Sequence, residues 1–431
     1  MKTLLAAAVM ALALAPPVLA QPAPIDPRAR TEAIAAAIQQ EYFDETKGRR
    51  IADELRAEAA KGAYDGLKDP RDFAGALTER LKPQDGHFQV SWSPSQAGAP
   101  DRPAFDPAKA AAAARRINYG FRAVQVLPGN IGYIDLRQFA HFEGDGPARA
   151  AADAAMALIA GTDAVIVDLR FNGGGSPAMV GYLASWFVPP GADIYNTFKS
   201  RGPDTYERPT AEIRGARRLE VPLYILVSGR TGSAAESFAY TLQAARRATI
   251  VGDHSAGGAN PGGVNPIGDG LQVFVSSGSP VNPITGANWE GTGVVPDVEA
   301  SPDQALVRAQ ILALRRIAQA PLAEPAATEV RWILEALDKP RPTGPTVLAR
   351  YAGDYGPYAV TLAGDRLVLR QGRRPPTALD PLAEPGLFAV DGAPTWRIRF
   401  ETPGAGPASA LVSMGSDGSA ARQPRTLPGQ P

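Results

Sequence analysis

The sequence contains no cysteine, few histidines and no excess of charge of either sign. Its 431 residues include 3 His, with 44 Lys and Arg residues against 44 Asp and Glu residues. Without cysteine there is no disulfide and no thiol nucleophile, and a zinc site built from thiolate and imidazole ligands is not expected. The charge balance argues against a protein that binds nucleic acid through a basic face. We therefore expect no metal, no cofactor and no nucleic-acid partner.

The composition is that of a folded protein. Hydrophobic residues make up 45% of the chain and charged residues 20%, which excludes a disordered protein and indicates a substantial core. The length predicts two or three domains.

Residues 1–20 have the pattern of a secretory signal peptide. Lys2 precedes an apolar run from Leu4 to Val18, and Ala20 is the small residue at the cleavage position before Gln21. That run is too short to span a membrane, and no later run approaches about 18 residues without a charge. The sequence therefore predicts an exported protein, periplasmic or secreted, that is not inserted in a membrane after the signal peptide is removed.

The hydrophobic pattern changes period along the chain. Between Thr31 and Leu81 apolar residues recur every four positions, which predicts a small helical bundle. Buried strands then alternate with helices, as in an α/β sheet with crossover helices, and we assign a strand over Leu271–Ser276 to this core. Short, regularly spaced strands after residue 350 predict a small antiparallel β domain. The predicted parts are signal peptide 1–20, N-terminal helical cap 21–85, α/β core 86–302, helical extension 303–340, C-terminal β domain 346–415 and flexible tail 416–431.

A glycine-rich turn follows one of the buried strands. The segment from Asp168 to Gly175 leads from strand to helix, where backbone N–H groups can face an anion or an oxyanion. It does not fit a dinucleotide fingerprint, whose third glycine would fall on Ala178, and it lacks the Gly-Lys-Ser/Thr of a phosphate-binding loop. From the residues alone it is either an oxyanion loop or a tight turn.

A second candidate segment follows the next buried strand. Ser233 stands at the first turn of a helix among small residues, which leaves space for a substrate carbonyl group. The spacing of Ser233 and Glu236 also matches a capping box, in which the serine only caps the helix. The elbow pattern G-x-S-x-G is not present. Both roles remain open at this point.

A nucleophilic serine needs a base, which is a histidine–carboxylate pair or a lysine. No lysine occurs between Lys199 and Lys339, so the base near Ser233 would be a histidine. The spacing of residues alone does not show which histidine is the base. Glu290 could supply the carboxylate of the pair. The three histidines are His87, His141 and His254.

Four motifs in order resemble the S41 family of serine peptidases, the tail-specific or C-terminal-processing peptidases. The pattern D-x-R-x-N-x-G-G is matched by Asp168–Gly175, and a T-x-S-A-A-E turn by Thr231–Glu236. A V-G-D strand with a glycine-rich loop is matched by Val251–Gly258, and G-V-x-P-D by Gly293–Asp297. The resemblance implies a ClpP/crotonase-like α/β core.

Within this family the sequence resembles the branch without a PDZ domain. The Ser–Lys branch has its lysine where this chain has Gly258, and Val90 to Tyr119 is too short to hold a PDZ domain. The D-G-H turn of the tricorn core and of the interphotoreceptor retinoid-binding protein repeats is matched by Asp85–His87, and their glutamate by Glu290.

The resemblance assigns the catalytic roles. It implies that Ser233 is the nucleophile, that His87 is the base and then the acid, and that Glu290 orients the imidazole. The oxyanion hole is implied to be the backbone N–H groups of Ala234 and of Gly173 or Gly174.

These observations predict an exported serine peptidase that hydrolyses peptides or unfolded proteins. Two alternatives stay open: a catalytically silent protein that binds an apolar ligand on the same fold, and an esterase that uses the same triad. The presence of His87, Ser233 and Glu290 together favours the enzyme, and His254 is the rival base.

Overall fold

The computed structural model describes residues 22–94, 107–209, 211–338 and 344–426. The predicted signal peptide, residues 1–20, lies outside the described residues. Within the described ranges, no helix combines the length and the apolar character needed to cross a membrane.

Helices occur along the whole described chain. The first three begin behind an aspartate whose carboxylate accepts N–H groups of the first turn, namely Asp26, Asp44 and Asp69. The helices are α1 (Pro27–Glu41), α2 (Glu45–Ala60), α3 (Pro70–Leu81), α4 (Pro107–Arg116), α5 (Pro147–Leu158), α6 (Pro177–Ala184), α7 (Ala234–Ala244), α8 (Ala305–Ile317), α9 (Ala326–Asp338) and α10 (Pro345–Leu348).

Strands fall into four sheets of the described chain. They are β1 (Gln89–Trp92), β2 (Phe121–Leu127), β3 (Ile131–Leu136), β4 (Ala164–Asp168), β5 (Thr197–Ser200), β6 (Thr205–Tyr206), β7 (Leu223–Val227), β8 (Thr249–Gly252), β9 (Gly262–Gly268), β10 (Leu271–Ser276), β11 (Gly278–Val281), β12 (Val298–Glu299), β13 (Gly353–Tyr355), β14 (Tyr358–Ala363), β15 (Arg366–Gln371), β16 (Thr377–Pro381), β17 (Leu387–Val390), β18 (Ala393–Glu401), β19 (Ala410–Gly415) and β20 (Ala420–Pro424).

The chain divides into two compact units, and the first is discontinuous in sequence. It comprises the described residues up to 94 together with Gly262–Ser277, and the second comprises residues 107–261 and 278–426. The predicted boundary at residue 86 and the assignment of 262–277 to the α/β core therefore differ from the structure. The cause is strand pairing, because β1 pairs antiparallel with β10, which pairs in turn with β9.

The first unit packs α1, α2 and α3 on the sheet β1–β10–β9 around one apolar core. Leu271, Val273 and Val275 alternate along β10 and contribute their side chains to this core. The residues whose four-residue spacing predicted the bundle are all at most 1% exposed: Ile34, Ile38, Tyr42, Ile51, Leu55, Phe73, Leu77 and Leu81.

The second unit is built on a sheet with the strand order β12–β8–β7–β4–β3–β2. Within this sheet β12, β8, β7, β4 and β3 are parallel, and β2 is an antiparallel edge strand. Side chains of α5, α6 and α7 form one core with the sheet, and those of α8 and α9 form another. The described part of the predicted helical extension 303–340, which ends at Asp338, thus packs on one face of the α/β sheet. This mixed α/β architecture confirms the predicted class of the core in general terms.

The C-terminal part of the second unit is an antiparallel meander from β13 to β20, in chain order. Its ends meet, because Tyr355 forms a bridge with Arg425 and the N–H of Thr426 donates to the carbonyl of Asp354 at 2.8 Å. Aromatic rings of Tyr351, Phe388 and Phe400 pack within it. The prediction of a flexible tail from residue 416 is therefore wrong over Ala420–Pro424, which form the last strand.

Candidate active site

Two motif loops leave the α/β sheet side by side. Strands β4 and β7 are parallel neighbours, so the loops that follow them start at the same edge of the sheet. The N–H of Gly232 donates to the carbonyl of Asn172 at 3.0 Å, and the Thr231 hydroxyl donates to the carbonyl of Leu169 at 2.7 Å. These bonds fix the serine loop against the glycine-rich loop.

The Asp168–Arg170 pair anchors the start of the glycine-rich loop. The guanidinium of Arg170 reaches the two carboxylate oxygens of Asp168 at 2.9 and 2.6 Å, and the Tyr133 hydroxyl donates to the same carboxylate at 2.7 Å. Burial favours a higher pKa for Asp168, but the bonds from Arg170 and Tyr133 outweigh it and lower the pKa. The D-x-R part of the motif thus has a structural role and holds the start of the glycine-rich loop in position.

Asn172 and Gly174 set the distance between the two loops. The fully buried Asn172 side chain donates to the carbonyl of Leu136 at 3.0 Å and accepts the N–H of Gly174 at 2.9 Å. Gly174 has a φ of 115°, and a methyl group there would lie 2.7 Å from Cβ of Ser233. Only glycine permits this backbone and this approach.

Ser233 is exposed and has a backbone conformation that is unusual for a residue with a side chain. Its φ is 51° and its ψ is −122°, directly before the first residue of α7. Its N–H donates to Oε2 of Glu236 at 2.8 Å, which is the half of the capping box that uses the glutamate. Strain of this kind persists only where the surroundings impose it, as at a functional site.

Glu236 holds the serine loop and a second glycine-rich loop together. Its fully buried carboxylate accepts the N–H groups of Gly257 at 2.6 Å and of Gly258 at 2.9 Å, besides that of Ser233. The Ser255 hydroxyl donates to it at 2.6 Å and accepts the N–H of Val294. Four donors converge on an acceptor-only carboxylate. The sequence showed Glu236 only as a capping residue, and this wider role depends on a loop distant in sequence.

Two backbone N–H groups beside Ser233 are candidates for an oxyanion hole. Within the described chain, the N–H groups of Gly173 and Ala234 make no hydrogen bond. The N–H of Gly174 donates instead to Asn172. Of the two glycines named from the sequence, Gly173 is therefore the one whose donor is available.

Glu290 is fixed by backbone donors in the second unit. Its Oε2 accepts the N–H groups of Ala259 at 2.9 Å and Asn260 at 3.1 Å, and its own N–H donates to Oδ1 of Asn288 at 2.8 Å. The residue is half-buried. These bonds give its carboxylate a defined position.

His87 lies in the first unit, on the turn between α3 and β1. Oδ1 of Asp85 is 3.3 Å from Nδ1 of His87 and accepts the His87 backbone N–H at 2.9 Å. The Asp85 side chain is 2% exposed, and that of His87 is 23% exposed. Burial would raise the pKa of Asp85, but the hydrogen bonds from His87, with the Ser276 hydroxyl contributing, hold it at about 2. The sequence shows Asp85 as part of the D-G-H turn, but it does not indicate this contact with the imidazole.

The other two histidines have different surroundings. His141 is exposed, with Nδ1 3.2 Å from the Ser176 hydroxyl and Nε2 3.4 Å from Glu143. His254 is exposed in its loop. Neither ring makes a hydrogen bond to Ser233 in the described part of the chain.

Comparison with solved structures gives weak likenesses. A putative peptidase from Parabacteroides merdae aligns with a TM-score of 0.47 at 19% identity, covering 69% of this chain and 100% of that one. A lipoprotein from Streptococcus agalactiae aligns with a TM-score of 0.45 at 18% identity, covering 71% of this chain and 100% of that one.

Sequence comparison is more specific and coincides with the motif loops. A carboxy-terminal-processing protease of Bartonella bacilliformis is 30% identical over 175 residues, 40% of this chain. This chain spans about two fifths of that relative's length, with 39% covered. The profile of peptidase family S41 matches residues 130–300, which contain the serine loop, both glycine-rich loops and Glu290. Through this segment, about two fifths of its length, the chain is similar to peptidase family S41.

Proposed function

We propose that this protein is an exported serine peptidase that cleaves peptides or unfolded proteins with Ser233 as its nucleophile. The observation that carries the proposal is the setting of Ser233. The residue is exposed, its backbone is held in a strained conformation, and the unbonded N–H groups of Ala234 and Gly173 belong to the two loops that meet there. The family match over residues 130–300 supports the same chemistry.

The proposed reaction follows from these donors. The Ser233 hydroxyl oxygen attacks the scissile carbonyl carbon while a base removes its proton, and the carbonyl oxygen becomes negatively charged. The N–H groups of Ala234 and Gly173 stabilise that charge. The protonated base then gives its proton to the leaving amine as the C–N bond breaks, and water hydrolyses the acyl-enzyme by the same steps.

We assign the base to His87. Since His87 and Ser233 belong to different units, this assignment rests on the D-G-H motif and on the surroundings of His87 itself. A carboxylate at Nδ1 favours the tautomer with its proton on Nδ1, so that Nε2 carries no proton and can act as the base towards a serine. Asp85 occupies this position beside Nδ1. Glu290 remains the orienting carboxylate that the family resemblance proposes, and substitution of each acid distinguishes their contributions.

The test compares the mature chain with Ser233→Ala and His87→Ala on an unstructured protein and a peptide mixture, with cleavage read by mass spectrometry. We expect each variant to lose about 10³-fold or more of the activity. His254→Ala and His141→Ala are the matched controls and should remain active. Equal turnover by Ser233→Ala would refute the mechanism, and a large loss in His254→Ala would reassign the base.

The same preparation separates the alternatives. Hydrolysis of esters without hydrolysis of peptides would identify an esterase, and no hydrolysis of either would indicate a binding protein. For export, we propose cleavage near Gln21, which N-terminal sequencing of the protein recovered outside the cytoplasm would test.

A further inference from the structure

A cavity of about 650 Å³ lies in the second unit beside the serine loop. One wall is the glycine segment 173–175, whose middle residue packs against Ser233. Another wall is the chain around residues 116–122, between α4 and β2. We call this space the basic cavity, because its lining includes Arg116, Arg122 and Arg137.

The charge of the basic cavity is only partly balanced. Arg137 pairs with the buried carboxylate of Asp135 at 2.5 Å, and Nε of Arg122 lies 3.9 Å from the same carboxylate. Arg116 has no ion-pair or hydrogen-bond partner for its side chain among the residues that the structure describes. Two guanidinium groups therefore lie near one carboxylate and that of Arg116 pairs with none in the described chain, which leaves an excess of positive charge among the described residues of this wall.

Two of these arginines differ in their contacts and in their exposure to solvent. The guanidinium of Arg137 is held between Asp135 and the ring of Phe171, whose centroid is 4.6 Å from its Cζ. The side chain of Arg122 is 67% exposed. Arg230, in the serine loop, lies over the same Phe171 ring at 5.5 Å. The cationic surface thus extends from the basic cavity along the glycine-rich loop.

The backbone at the cavity wall is also unusual. Asn118, Tyr119 and Gly120 all have positive φ, at 48°, 54° and 92°. A methyl group on Gly120 would lie 2.0 Å from the carbonyl oxygen of Gln138, so only glycine permits this close approach to the segment that follows β3. Consecutive residues in this conformation are unfavourable without a compensating gain.

We propose that the basic cavity binds a carboxylate of the peptide substrate close to the scissile bond, with Arg116 and Arg122 as the residues that determine this specificity. The proposal rests on the proposed peptidase function. An arginine fork recognises a carboxylate through paired, charge-assisted hydrogen bonds. The carboxylate is either an Asp or Glu side chain or the C-terminal carboxylate, since their chemistry is the same.

The test uses a peptide that the wild-type chain cleaves, remade with Glu or Gln at each position near the cleaved bond, and each as a free acid and as a C-terminal amide. We expect kcat/KM to be about ten- to a hundredfold higher for one carboxylate-bearing peptide than for its neutral counterpart. A preference for Glu over Gln identifies a side-chain carboxylate, and a preference for acid over amide identifies the chain terminus. Equal rates across the whole set would overturn the proposal.

The arginine variants test the location. Arg116→Gln and Arg122→Gln should bring the acidic-to-neutral ratio of kcat/KM towards one, and added salt should lower the ratio in the wild type. Arg308→Gln removes an exposed charge from α8, outside the lining of the basic cavity, and should keep the ratio. The same loss of ratio in Arg308→Gln would show a general charge effect and reject the assignment.

Binding separates this proposal from the peptidase proposal. A fluorescent acidic peptide and its neutral counterpart are titrated with the Ser233→Ala chain, and anisotropy reports their affinities. Tighter binding of the acidic peptide, reduced by Arg116→Gln, would support the basic cavity even if no peptide is hydrolysed. Equal affinities would refute it even if peptides are cleaved.

Discussion

Oδ1 of Asp85 contacts both the ring Nδ1 and the backbone N–H of His87, at 3.3 and 2.9 Å. One buried oxygen therefore fixes the position of the turn and the orientation of the imidazole. Both residues belong to the first unit. The pair gives the proposed base an orienting carboxylate two residues away in sequence.

Asp85→Asn should lower kcat by about a hundredfold or more, because an amide at Nδ1 no longer favours the tautomer that leaves Nε2 as the base. The measurement is a pH profile of kcat for Asp85→Asn and Glu290→Gln side by side. A purely structural role of Asp85 would leave the profile of the folded variant unchanged. A normal profile in Asp85→Asn with a large loss in Glu290→Gln would assign orientation to Glu290 alone.

Asp85 should also contribute to stability in a pH-dependent way. Its pKa is lowered from 3.8 to about 2, so its contribution is complete above about pH 4 and is lost as the pH falls through 2. This lowering of the pKa corresponds to roughly 2 kcal/mol. Urea unfolding at several pH values should show the wild type more stable than Asp85→Asn near neutral pH, with the difference vanishing near pH 2. A constant difference would contradict this prediction.

Glu207 should have the opposite effect. The residue is 1% exposed, and its Oε2 accepts bonds from Asn196 at 2.9 Å and Ser237 at 2.6 Å. Burial raises its pKa from 4.5 to about 8, although those bonds oppose the rise. The folded state then favours the protonated acid, so stability falls as the pH rises from about 4.5 to 8.

Glu207→Gln keeps the shape and the acceptor oxygen but removes this titration. The variant should be more stable than the wild type at pH 8 by several kcal/mol, because each tenfold change in the acid dissociation constant on folding is worth about 1.4 kcal/mol. The stabilities of the two proteins should converge near pH 4. Thermal or urea unfolding of both proteins between about pH 4 and pH 8 measures this difference in stability. Parallel pH dependence in the two proteins would show that Glu207 does not titrate there.

Gly174→Ala should abolish most activity. The added methyl group would lie 2.7 Å from Cβ of Ser233, so the serine loop must move, and a displacement of about 1 Å at the reacting group costs about a hundredfold in rate. Gly144→Ala is the matched control, because Gly144 also has a positive φ but no atom lies within 4 Å of the added group. It should lose only about 1 kcal/mol of stability and keep its activity. Similar activity in both variants would contradict the packing argument.

Local periodicity predicted the elements whose apolar residues form regular faces. The helices around Ile34, Leu55 and Leu77 are of this kind, whereas continuous apolar runs predicted the buried strands β4 and β7. The strand β20 was missed because Ala420–Pro424 has no apolar pattern, and its pairing with β19 uses the backbone. The unit to which β10 belongs could not be predicted, since strand partners distant in sequence leave no local signal.

The candidate site was predictable where a motif concentrates it. Ser233 and Gly173 lie in motifs that sequence analysis singled out, and hydrogen bonds join their loops. Other hydrogen bonds of the site depend on how the folded loops meet, and no sequence spacing predicts them. These are the bonds from the N–H groups of Gly257 and Gly258 to Glu236 and from the N–H of Gly174 to Asn172. The contact of Asp85 with His87 is local, but an Asp-Gly-His turn alone does not specify which atoms meet.

The first unit includes β9 and β10, which are distant in sequence from its helices, and this affects the order in which the protein can fold. The apolar core of α1, α2 and α3 includes Ile267, Leu271 and Val273. During synthesis these helices emerge almost 200 residues before the strands that complete their core. At about 5–20 residues per second this delay lasts on the order of ten seconds or more. The apolar core of the first unit is therefore completed late in synthesis. In a polypeptide that ends before residue 271, part of that core would be missing and the apolar faces of the helices would stay exposed.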